Sequence, residues 1–178
     1  IITLIFVFGS VIAASLPVIL GGGCALIILT TLYFLGHYFT LSVFTINIAL
    51  LLGLCLCLDY SLFFISRFRD ELRNGLSSSE AIAVTQNSAG KAIFFSGLAV
   101  FASLSALFLF PINILFSVAV GGLAAVFFAV LISFFLLPAI LAVLKTKINL
   151  LSIPIFKKYK QSNFSCWRWL AERVVRRP

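Results

Sequence analysis

The chain has 178 residues, 62% of them hydrophobic and only 10% charged, with a net charge of +8 and a mean hydropathy of +1.21. It is too apolar to present a charged surface to water, which excludes an ordinary soluble domain and makes the bilayer its solvent. Its four cysteines lack a C-x-x-C spacing, so neither a disulfide framework nor a zinc site is expected.

The chain contains no Met, and residues 1–8 are already apolar, so it is expected to be a piece of a longer protein. Residues 1–20 have no positive start and are followed by further apolar runs, which argues against a signal peptide. A helix needs about 20 apolar residues to cross the hydrocarbon layer, and on that basis the sequence predicts an all-α bundle of five transmembrane spans. The first covers residues 1–20. Gly21, Gly22 and Gly23 are read as a tight turn into a second span at 24–39. The third covers 41–66, the fourth 91–110 and the fifth 112–144, with Pro111 opening the fifth and Pro138 near its end.

Every Lys and Arg lies at Arg67 or later, either between the third and fourth spans or after the fifth. By the positive-inside rule both regions are cytoplasmic. That places the N-terminus on the exterior and the C-terminus in the cytoplasm of a bacterial inner membrane. Residues 67–90 form a cytoplasmic connection with its own short helix, because Ser77-x-x-Glu80 has the form of a capping box ahead of an apolar run. Residues 145–178 combine basic residues with Phe164, Trp167, Leu170 and Val174 at helical spacing, as an amphipathic helix on an anionic leaflet would. The membrane-adjacent Trp residues favour lipid over nucleic acid as the partner of this tail.

Asp59 stands within the third span, with Leu51 to Leu58 before it and Leu62 to Ile65 after it. A carboxylate at such depth costs about 2.5–3.5 kcal/mol even on a lenient insertion scale, so a functional role is the first expectation. A carboxyl between apolar walls and a hydroxyl donor is suited to loading and releasing a proton. Thr45, Asp59 and Ser66 recur at seven-residue steps with Leu52 among them, and Gly53, Tyr60 and Arg67 follow on the adjacent stripe. Small residues recur in the fourth span (Ala92, Ser96, Ala99, Ser103, Ala106) and the fifth (Ser117, Gly121, Ala125, Ala129, Ser133), where they are expected to pack helices closely. Ser96 stands out because its hydroxyl would reach Asp59 if the fourth span lay beside the third. His37 falls in an exterior connection and is assigned no role. Cys55 and Cys57 point apart on a helix and are read as small apolar residues. Phosphate loops, HExxH, GxSxG and paired catalytic carboxylates are absent, so the chain is not expected to be an enzyme or to hold a cofactor or metal.

The run from Gly53 through Asp59-Tyr60 to Ser66-Arg67-Phe68-Arg69-Asp70-Glu71, followed by Gly75, Glu80-Ala81, Gly90-Lys91 and Phe95-Ser96-Gly97, closely resembles the MmpL branch of the resistance-nodulation-division (RND) transporters. Leu137-Pro138-Ala139 and the closing stretch from Trp167 to Pro178 fit the same pattern. The resemblance implies helices two to six of the first membrane half of a proton-driven exporter of lipids or amphiphilic molecules. It also implies a proton relay in which Asp59 carries the proton, Tyr60 is its hydrogen-bonding companion and Ser96 lines the same path. The implied partners are protons, membrane lipids, the lipid or amphiphilic substrate, and a second half of the same polypeptide whose Tyr and Asp pair with Asp59 and Tyr60. Family members often carry Gly where Cys55 and Cys57 stand, which implies altered helix contacts near the relay. The rivals are a non-exporting relative of the sterol-sensing or protein-translocation type, a structural membrane scaffold, and an intramembrane aspartyl protease, for which the second acid is missing.

Overall fold

The computed structural model describes residues 11–144, with side chains over 15–143. Among the described residues every regular element is helical. The order is α1 (Val11–Leu35), α2 (Val43–Arg73), α3 (Ser78–Thr85), α4 (Lys91–Ser105), α5 (Asn113–Leu131) and α6 (Leu137–Leu144). A π-helical turn, Gln86–Gly90, joins α3 to α4, and another, Ile132–Leu136, joins α5 to α6. Through these joints the helices merge into four rods long and apolar enough to cross a membrane, Ser15–Leu35, Val43–Arg73, Ser78–Leu109 and Asn113–Val143.

Among the described residues four rods stand where five spans were expected, and the cause of the difference is local. The expected turn at Gly21, Gly22 and Gly23 does not form, and α1 runs through all three glycines and through Pro17. A turn in the hydrocarbon layer would strand backbone N–H and C=O groups where no water can satisfy them, a cost of several kcal/mol per group. Keeping a glycine helical costs only about 0.5–1 kcal/mol relative to alanine. The expected first span therefore merges in part with the second; its opening residues, the exterior placement of Ile1, and the basic amphipathic helix of the tail lie outside the described residues.

Leu20, Cys24, Ile28 and Leu32 recur every fourth residue on the buried face of α1 and pack against α2. The central rod is α2, with α1 on one side and α5 on the other, while α4 rests mainly on α5. Glycines set these crossings: a methyl group at Gly53 would collide with Ile28, and one at Gly121 would collide with Thr45 and meet Ala49 Cβ at 3.4 Å. The small residues Ser117, Gly121, Ala125, Ala129 and Ser133 are all buried, as their four-residue spacing predicts. Those of the fourth span (Ala92, Ser96, Ala99, Ser103, Ala106) are exposed instead, and α4 turns Ile93 and Gly97 inward.

α2 does not end at Ser66 but continues to Arg73 and closes with Gly75 at φ +91°, where the Gly75 and Leu76 N–H groups donate to the Leu72 and Glu71 carbonyls. This paired cap is the usual way a helix ends on glycine. Residues 74–77 then lead into α3, whose capping box is present: the Ser77 N–H donates to Glu80 Oε2 at 3.0 Å and the Glu80 N–H to Ser77 Oγ at 3.4 Å. Phe64, Phe68, Ala81, Ile93, Leu137 and Leu141 are buried around this end of the bundle. Arg67, Arg69, Arg73 and Lys91 cluster there too, whereas residues 36–42 and 110–112 at the other end carry no Lys or Arg.

Candidate functional site

Asp59 lies near the middle of the 31-residue α2, a helix long and apolar enough to cross a membrane. It is not enclosed by neighbouring spans. The side chain is exposed on the outer face of α2 and is not enclosed by α1, α4 or α5; its one side-chain contact of hydrogen-bonding type is with Cys55, whose thiol lies 3.8 Å from Oδ2. Tyr60, ~100° further round the helix, points inward and is only 7% exposed. Its hydroxyl is buried without a hydrogen-bond partner. It lies beside Gly97, where an added Cβ would sit 3.8 Å from the phenol oxygen and would collide with Val130. Ser96, one residue before Gly97, is exposed like Asp59.

The three site residues are thus arranged as two outward-facing groups, Asp59 and Ser96, and one sealed hydroxyl, Tyr60. No hydrogen bond joins them. The polar stripe read from seven-residue steps also divides: Thr45 is fully buried against α5, while Asp59 and Ser66 are exposed. Seven residues fall ~20° short of two full turns of an ideal α-helix, and the drift over three such steps carries the later members off the buried face. On the companion stripe Gly53 and Tyr60 are buried, and Arg67 emerges to pair with Glu71 at 2.6 Å.

Cys55 and Cys57 do point apart, Cys55 outward and Cys57 inward. Cys57 is more than an apolar filler. It adjoins Cys24 of α1, Ser61 of its own helix and Ser133 of the π turn before α6, all four fully buried. The register agrees, because Gly21 meets Leu58 and Leu54 and Gly53 meets Ile28, which sets Cys24 across from Cys57. Sequence alone offered the i, i+4 spacing of Cys57 and Ser61, but the approach of α1 and of Ser133 depends on a packing that no local pattern encodes. His37 is exposed, with Nδ1 3.0 Å from the Tyr33 carbonyl oxygen. Among the described residues no three His, Cys, Asp or Glu side chains gather as a metal site would require.

Long apolar rods in a bundle, an apolar exterior and an acid at mid-depth define a multi-pass α-helical membrane protein. The particular family follows from comparison: the sequence profile of the MMPL family matches residues 1–178, and the chain belongs to that family, within the RND superfamily. It is 40% identical over 141 residues to the mycolic acid-containing lipids exporter MmpL11 of Mycolicibacterium smegmatis, covering 79% of this chain and 15% of that protein. It is 35% identical over 181 residues to the trehalose monomycolate exporter MmpL3 of Mycobacterium tuberculosis, covering 98% of this chain and 19% of that protein. The heme uptake protein MmpL11 of Mycobacterium tuberculosis is 34% identical over 178 residues, 98% of this chain and 18% of that protein. The chain thus spans less than a fifth of the length of these relatives.

Proposed function

We propose that this chain is the proton-handling part of a membrane transporter that exports lipids or amphiphilic molecules using the proton-motive force. The observation that carries the proposal is the outward carboxylate of Asp59 at mid-depth in α2. Left against acyl chains it would incur the insertion cost given above, so it calls for a covering partner. The relatives extend far beyond the matched segment, so a further bundle of the same polypeptide is the natural cover.

The position of Ser96 supports this reading. α2 and α4 run antiparallel, and Tyr60 approaches Gly97 between them. Residues one step before a facing pair on antiparallel helices turn to the same flank. Asp59 and Ser96 are those residues, and both are exposed. That flank would receive the covering helices, with Asp59 exchanging the proton, Tyr60 supplying a hydroxyl from behind and Ser96 bordering the path. One charge moved across the membrane is worth ~2.3 kcal/mol per 100 mV, enough to bias a conformational equilibrium.

By the positive-inside rule, the clustered Arg67, Arg69, Arg73 and Lys91 support an orientation with residues 74–77 on the cytoplasmic side of the inner membrane and residues 36–42 and 110–112 on the exterior. Because the four rods alternate in direction, Val11 and Leu144 share the cytoplasmic side. Lipid is the proposed cargo because two of the relatives named above are lipid exporters. The test is Asp59→Asn in the intact protein, which keeps shape and removes the titrating group. Export is expected to stop with the membrane level unchanged, and normal export in that variant would remove the proposal.

A further inference from the structure

α4 buries little of itself. It turns only Ile93 and Gly97 inward, and the missing side chain of Gly97 lets it come close to Val130 of α5. On the outer side of that contact the larger side chains of the two rods splay apart and leave a trough of about 330 Å³. Phe94, Leu98 and Phe101 line it from α4, and Phe127 and Phe134 line it from the opposite rod. Every side chain in its walls is apolar.

The charge that the trough lacks stands at its end. Positions 91, 94, 98 and 101 follow one another at steps of three and four, so Lys91 shares the trough-lining face of α4, one turn before Phe94. Lys91 is exposed and joins no ion pair among the described residues. Along the rod it stands ~27 Å from Leu109, nearly the ~30 Å thickness of the hydrocarbon layer, so its ammonium reaches the level of the lipid headgroups. From Lys91 to Phe101 is ~15 Å, the depth of one leaflet.

These dimensions select the occupant. A helix ~10 Å across and ~15 Å long fills about 1,200 Å³, which the trough cannot seat. Its volume lies instead at the small end of the ~300–1,000 Å³ range of small-molecule sites. A molecule with an anion at the membrane surface and a hydrocarbon chain one leaflet long matches both the cation and the apolar walls, and basic groups beside spanning helices hold anionic headgroups in this way.

We propose that the trough between α4 and α5 binds one anionic phospholipid of the surrounding membrane, with its phosphate on Lys91 and one acyl chain along Phe94, Leu98 and Phe101. The lipid fills out the narrow contact through which α4 rests on α5. Its binding does not depend on Asp59, and the proposed orientation enters only in making the leaflet the cytoplasmic one.

The test uses the intact protein in phosphatidylcholine nanodiscs doped with phosphatidylglycerol whose acyl chain carries a diazirine, with the photolabel mapped by peptide mass spectrometry. Label is expected within residues 94–101 and 126–135, about fivefold above that left by phosphatidylcholine carrying the same diazirine, the scale of one lysine facing an anionic headgroup. Lys91→Glu should remove that excess and Lys91→Arg should keep it. Leu98→Trp fills the trough from an exposed position and leaves the charge in place, so it should lower the labelling of 126–135 by both lipids. Equal labelling by the two lipids, or an excess that survives Lys91→Glu, would overturn the site and leave only bulk lipid against this face. Displacement of the probe by a neutral glycolipid as readily as by unlabelled phosphatidylglycerol would overturn it in favour of a cargo site. Asp59→Asn should label as wild type does. Abolished export in that variant without any phosphatidylglycerol preference would therefore remove the lipid site alone, and normal export with the preference intact would remove the relay alone.

Discussion

Replacing Gly22 and Gly23 of α1 with alanine separates a helix from a turn at the place where sequence and structure differ. Both glycines are exposed, neither would bring a new Cβ within 4 Å of another group, and neither has a positive φ. Steric cost is therefore absent, and only conformational entropy and helix propensity remain. Each substitution should stabilise the folded state by about 0.5–1 kcal/mol, the usual helix-interior difference between glycine and alanine. The double variant should gain about 1–2 kcal/mol, provided the sites add. The assay is unfolding of the purified protein in bicelles by SDS, followed by far-UV ellipticity and compared at equal lipid composition. Had the three glycines formed a turn with left-handed backbone, the same substitutions would cost about 1–2 kcal/mol per residue held there. A destabilised double variant would thus refute the continuous α1 and with it the four-rod account of the described residues.

Further substitutions probe the caps, the packing and Tyr60. Gly75→Ala has open space around the new methyl group but must hold φ near +91°, so it should lose about 1–2 kcal/mol in the same unfolding assay, and a neutral result would contradict the glycine-capped end of α2. Gly121→Leu should cost about 1–3 kcal/mol by forcing Thr45 and Ala49 away from α5; an unchanged midpoint would mean that α2 and α5 do not cross there. Ser77→Ala removes the acceptor of the capping box and should lower stability by about 1 kcal/mol, whereas Glu80→Gln, which keeps the reciprocal bond to the backbone, should lose less. Tyr60→Phe keeps the ring beside Gly97 and removes the orphan hydroxyl; export in the intact protein should fall severely at normal membrane level, and wild-type export with wild-type pH dependence would count against the role given to Tyr60.

Much of the bundle was legible because lipid imposes long apolar helices and because caps are local. Ser77-x-x-Glu80 announced the start of α3, and the four-residue recurrence from Ser117 to Ser133 announced the buried face of α5 and the turn after it. The glycine triplet misled because turn propensities are calibrated in water, where freed amides are solvated at no great cost, and that alternative is missing in hydrocarbon. Ala92, Ser96, Ala99, Ser103 and Ala106 showed the other limit. Their spacing marks a face able to pack closely, but whether it faces α5 or turns outward depends on which neighbour is present. Asp59 is the same case: its place in the middle of an apolar helix was readable from the flanking leucines, whereas its exposure follows from the arrangement of α1, α4 and α5 around α2. The meeting of Cys24, Cys57, Ser61 and Ser133 could not be read at all, since it joins three separate stretches through helix register.

Proton movement through the reconstituted intact protein tests the reading of Asp59 most directly. With a pH-sensitive dye enclosed in liposomes, an imposed proton gradient and lipid substrate present, wild-type protein should acidify or alkalinise the lumen in step with transport, and Asp59→Asn should give only the leak of empty vesicles. Proton flux in that variant equal to wild type would show that the outward carboxylate of α2 is not the coupling group.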